Sequence, residues 1–160
     1  MKDAVAYHVR HAAAELRRFG LRAGTITVSI QPSRHGDFVL RGGSELVQLT
    51  VPTSDTTALL SIVFAAVDRL FEAGVPYKKA GVVLGQFVPD SVVQTSLFAT
   101  HETTKKEDSL MQTIDGLNAR FGREMVQVGR QTAGATWTAK CADISPAYTT
   151  DWQALPTVKA

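Results

Sequence analysis

The chain has 160 residues, 44% hydrophobic and 20% charged, with a net charge of +2 and an isoelectric point near 8.8. That much apolar content excludes a disordered chain, and the length bounds it to one ordinary domain or a small domain with an appendage. No apolar run approaches the ~20 residues of a membrane span, no signal peptide is visible, and the lone Cys141, read as a small buried apolar residue, leaves no internal disulfide and fits a reducing cytoplasm. The mildly basic balance permits nucleic-acid contact without requiring it.

The first element is predicted to be a helix over Asp3–Phe19, because Val5, Val9, Ala12, Ala13 and Leu16 recur at helical spacing and Gly20 closes it. His8 and His11 could share a face of this helix, but no third metal ligand stands near, so they read as solvated. A strand follows over Thr25–Gln31, with Ile26, Val28 and Ile30 on one face and Thr25, Thr27, Ser29 and Gln31 on the other, and Pro32 ends it. A second strand runs over Glu45–Val51, to be ended by Pro52. Asp55 then caps a helix running to about Ala73, with Leu59, Ile62, Val63, Ala66, Leu70 and Phe71 inward and Gly74 as its C-cap. Residues Lys78–Phe87 form a third strand. The first 88 residues therefore read α-β-β-α-β, a two-layer α+β arrangement with two helices on one face of an antiparallel sheet.

Composition shifts after Pro89. Val92–Phe98 contains Gln94, two spacers, then Leu97 and Phe98, the shape of a short docking peptide, followed by a polar run to Lys106. The Gln94 amide can bond a partner's backbone, and Leu97 and Phe98 can fill one apolar pocket. A strand end or linker is the plainer reading of the same residues. Glu107–Phe121 reads as a helix closed by Gly122, Met125–Val128 as a short strand and Thr136–Ala139 as a further candidate strand. The remainder reads as an extended tail pinned by Tyr148 and Trp152.

No phosphate-cradling glycine motif, nucleophile elbow, metal-spaced cluster or carboxylate pair for two-metal chemistry is visible, and no cofactor is implied. The hydroxyl-rich strand face is more informative. Thr25, Thr27, Ser29 and Gln31 on a rigid plane, with Lys78 and Lys79 opening the third strand and Arg34, His35 and Arg41 in or beside the first loop, suit sequence-independent contact with a phosphate backbone. An ordinary solvated face is the alternative.

The run Tyr77-Lys78-Lys79-Ala80-Gly81, the Gln94–Phe98 motif, Leu117–Arg123 and Ser145-Pro146-Ala147-Tyr148-Thr149-Thr150 together resemble the C-terminal part of UmuC-like Y-family DNA polymerases, over nearly the whole chain. Such proteins are the catalytic subunits of the SOS translesion polymerase. The resemblance implies a DNA-gripping little finger domain over residues 1–91 and a linker over 92–106 carrying a β sliding clamp motif at Gln94, Ser96, Leu97 and Phe98. A UmuC-type C-terminal domain would follow over 107–160. Thr95 departs from the Leu usual in that motif, which implies weaker docking.

The palm, fingers and thumb, with their metal-binding carboxylates, have no counterpart here, so a non-catalytic fragment of an error-prone polymerase is expected. Contact with the processed UmuD dimer and the RecA filament is also implied, without residues that place it. A protein-interaction module lacking DNA affinity is the alternative. The family domain carries a strand before the first helix, beside the last strand. Without it, the edge of Lys79–Phe87 is expected to be covered by Met125–Val128, or by the same strand of a second chain in a homodimer.

Overall fold

A computed structural model describes residues 1–33, 42–92, 101–122, 125–129 and 149–155. Helix α1 spans Lys2–Arg18, strand β1 Leu21–Pro32, β2 Gly43–Thr53, helix α2 Thr56–Leu70, β3 Tyr77–Pro89 and helix α3 His101–Phe121. The order α-β-β-α-β is as expected. The sheet is antiparallel in the order β2-β1-β3, and α1 and α2 pack on one of its faces.

The core grows from β1. Its alternation sends Ile26, Val28 and Ile30 beneath the helices, where all three are fully buried. Each is worth roughly 1.5–3 kcal/mol of removed apolar surface. Val5, Ala6, Val9 and Ala13 of α1 and Leu59, Leu60, Val63, Ala66 and Val67 of α2 close over the two inner positions. Gly20, at φ +63°, turns the chain out of α1 and donates to the Arg17 carbonyl at 3.0 Å. The Asp55 carboxylate caps α2 by accepting from the Thr57 and Ala58 amides at 3.3 and 2.8 Å.

Several expectations change. Helix α2 stops at Leu70; Phe71 is extended and partly exposed, and the Tyr77 hydroxyl, not Gly74, meets the helix end, accepting from the Glu72 amide at 3.0 Å. Gly74, at φ +86°, serves the turn beyond. Pro52 lies inside β2, which an edge strand allows because one of its sides needs no N–H. Helix α3 begins within the run predicted as linker, whose Glu102, Lys105 and Lys106 are good helix formers despite having no apolar period. Met125–Val128 is no strand: the Asn118 side-chain amide takes both the N–H and the carbonyl of Val126, at 2.9 Å each. That segment therefore does not cover β3, and among the described residues no strand pairs with the outer edge of β3. Trp152 pins nothing: it is 88% exposed. Thr136–Ala139, Cys141 and Tyr148 lie outside the described residues.

Two arginines dock α3. Asp108, Met111 and Asp115 share one face of that helix. Arg22 of β1, 9% exposed at its side chain, donates to Asp108 at 2.8 Å and also to Asp90. Arg17 of α1 grips Asp115 with two hydrogen bonds of 2.6 and 2.8 Å and donates to the Ser54 carbonyl at 2.7 Å. Burial opposes the charge of Arg22, but the hydrogen bonds and fields of Asp90 and Asp108 outweigh it and raise its pKa. Met111, 1% exposed, sits between the two aspartates on that face. Met111→Ala is expected to cost about 2–5 kcal/mol in urea unfolding, the range for a buried methionine. A loss below 0.5 kcal/mol, roughly the scatter of surface substitutions, would mean that α3 is not part of the packed unit.

Candidate nucleic-acid interface

The face of the sheet away from the helices is built by register. Cross-strand partners share a face, so three rows run across β2, β1 and β3: Ser44–Ser29–Gly81, Leu46–Thr27–Val83 and Gln48–Thr25–Gly85. Gln31, opposite Lys79, extends the array at one end. The four residues singled out from the alternation thus do share a plane. Thr27 and Ser29 are half-buried and Gln31 is exposed, but Thr25 is only 8% exposed.

A Cβ on Gly85 would stand 2.8 Å from the Thr25 hydroxyl oxygen, and one on Gly81 would stand 3.3 Å from that of Ser29. The β1 hydroxyls therefore lie over bare β3 backbone, and Ser29 Oγ donates weakly to the Gly81 carbonyl at 3.5 Å. The middle row is different. Leu46 and Val83 are 66% and 65% exposed on either side of Thr27, forming an apolar bar that the hydroxyl pattern of β1 alone did not reveal. Counting alternate residues along β2 and β3 would have found it.

Lys79 lies opposite Gln31 on this face, Lys78 falls at the register shift between Gln31 and Pro32, and both lysines line a hollow with Met1, Ala4 and His8. Arg34, His35 and Arg41 lie outside the described residues, as do Gln94, Ser96, Leu97 and Phe98. Arg17, Arg22 and Arg69 are committed to carboxylates; Arg69 grips Glu45 through Nε at 3.0 and 3.1 Å and holds that carboxyl below its usual range. His11 stacks edge-on to Tyr7 at 4.2 Å, while desolvation and then His11 hold His8 below the usual histidine range. Among the described residues no group of three or more His, Cys, Asp or Glu could hold a metal, and no helix is long and apolar enough to cross a membrane.

A family model described as the impB/mucB/samB family C-terminal domain matches residues 1–97, and one described as a domain of unknown function, DUF4113, matches residues 108–158. The chain is similar to Protein SamB of Salmonella typhimurium, with 32% identity over 163 residues that take in 99% of this chain and 38% of the relative. Protein UmuC of S. typhimurium strain LT2 is 31% identical over the same coverage. Protein MucB of Escherichia coli is 28% identical over 157 residues, 98% of this chain and 37% of the relative. The chain thus spans less than two fifths of the length of these curated relatives.

One backbone feature borders the face. Gln86 adopts φ +51°, and the Gly24 opposite it is closely packed: a Cβ there would stand 3.1 Å from the Gln86 carbonyl oxygen, which would have to give way. A left-handed conformation costs a residue with a Cβ roughly 1–2 kcal/mol. Gln86→Gly should therefore raise stability by about 1 kcal/mol in urea unfolding, whereas Gly24→Ala should lower it. Unchanged midpoints for both variants would contradict strained backbone here.

Proposed function

This chain belongs to the impB/mucB/samB C-terminal domain family, and on that premise we propose that it is the DNA- and clamp-binding part of an error-prone translesion DNA polymerase of the SOS response. The observation that carries the reading is the open sheet face. Its Thr27 and Gln31 donors, the Thr25 and Ser29 hydroxyls over Gly85 and Gly81, and Lys79 at its edge fit a sugar-phosphate backbone. Neutral donors hold phosphate oxygens in position, and Lys79 supplies a salt-dependent part of the affinity, to which Lys78, Arg34, His35 and Arg41 would add. The apolar bar of Leu46 and Val83 suits the deoxyribose surface between phosphates. None of these groups distinguishes one base from another, which matches a polymerase that must travel along any sequence.

On this reading, nucleotidyl transfer belongs to the part of the relatives that this chain does not span, and the chain contributes grip. Gln94, Ser96, Leu97 and Phe98 would tether the polymerase to the β sliding clamp, and the processed UmuD dimer and RecA would be further partners. The chain itself should show no primer extension with Mg²⁺, primed template and nucleotides.

The test of DNA binding is its salt dependence. Lys79→Ala should reduce the slope of log K against log salt by about 0.9, the share of one phosphate contact, and do so alike for unrelated duplex sequences. Lys2→Ala, on α1 and paired with Asp68, should leave the slope nearly unchanged. Equal effects of the two, or a loss confined to one sequence, would place the interface elsewhere. For the clamp, Leu97→Ala combined with Phe98→Ala should abolish binding in a pull-down while the thermal unfolding midpoint stays constant. Normal clamp binding by the double variant would remove that half of the proposal.

A further inference from the structure

On the helical side, opposite the sheet face, α1 and α3 enclose an open groove of about 720 Å³. Its walls include Tyr7, Ala14, Ala119 and Val128, and Arg10 lines it. Three arginines of α1 border the groove, and they are not equivalent. Arg17 is gripped by Asp115 and Arg18 reaches Glu15 at 3.4 Å. Among the described residues, Arg10 has no carboxylate. Its Nη1 makes one long hydrogen bond, 3.4 Å, to the Val128 carbonyl, and its Nε is buried without a hydrogen-bond partner. A guanidinium offers five N–H donors, and one long hydrogen bond leaves most of those on Arg10 unused.

We propose that this groove binds an acidic side chain carried by an apolar peptide segment of a partner protein, with the carboxylate seated on Arg10. One uncommitted guanidinium matches one carboxylate, which it can hold through two parallel hydrogen bonds. Tyr7, Ala14, Ala119 and Val128 provide apolar walls for the flanking residues of the segment. Nucleic acid is disfavoured here. Glu15 and Asp115 line the same groove and neutralise Arg18 and Arg17, so a chain of phosphates would find one uncommitted arginine where it needs a row of cations. The groove is independent of the DNA face, and either reading can fail without the other.

The test is ¹⁵N NMR of the arginine Nε–H groups of the 160-residue chain, titrated with capped Leu-Glu-Leu, capped Leu-Gln-Leu and inorganic phosphate at matched ionic strength. The expected result is a saturable shift of the Arg10 Nε–H with the Glu peptide, and none with its Gln counterpart. Arg120, stacked over Phe121 at 5.2 Å outside the groove, serves as the internal control and should not respond. Arg10→Met, which keeps the apolar stem, should weaken binding of the Glu peptide by about tenfold or more, the loss expected for a charged hydrogen bond. No shift at Arg10, an equal shift at Arg120, or a phosphate response as strong as that of the Glu peptide would overturn the proposal. The wild-type titration decides even if Arg10→Met fails to fold.

Discussion

Strand β1 is hydrogen-bonded along both edges, to β2 on one side and β3 on the other, and every other element takes its place from it. Its pleat divides the domain. Ile26, Val28 and Ile30 must leave water, and α1 and α2 supply the cover. The residues between them must then face away from the helices, which is why hydroxyls and an amide gather on the open side. A shift of one residue in register would exchange the faces, placing Thr27 and Ser29 under the helices without partners, so the pattern specifies the pairing strongly.

The second constraint is electrostatic. Arg22 leaves β1 at the margin of the core, where a lone charge would be costly. Asp90, just after β3, and Asp108, on α3, together offset that cost. Since the two aspartates flank residues 91–107, one guanidinium links the end of the sheet to α3. Arg17 repeats the device one element earlier, tying Asp115 to the start of α2 through Ser54 and Thr56. The region matching the impB/mucB/samB model and the first helix of the region matching DUF4113 thus meet through charge-assisted contacts around Met111, rather than through a broad apolar seam.

These constraints leave two surfaces of different character. The sheet face carries few charges and many neutral donors, so it suits a long, repetitive, anionic ligand met without base readout. The α1–α3 groove is small, mixed in charge and partly apolar, and among the described residues holds one guanidinium without a carboxylate. A ligand favoured by one surface is poorly matched to the other, which allows both to be occupied at once.

Much of this was legible in the sequence because it rests on local periodicity. The 3.6-residue stripe of α1, the alternation of β1, the Asp55 cap and Gly20 each report a backbone preference that acts within a few residues, and the α-β-β-α-β order followed from them. Two things required the tertiary structure. The first is which polar residues are consumed: Arg17 and Arg22 find carboxylates up to 98 residues away, and nothing local separates them from an arginine left for a ligand, such as Arg10. The second is what lies across from a residue. The Thr25 hydroxyl lies where a side chain on Gly85 would have to stand, and Val126 leaves extended pairing because Asn118 satisfies its backbone. Sequence fixes the direction in which a side chain leaves its own backbone; only the assembled fold decides what it meets there.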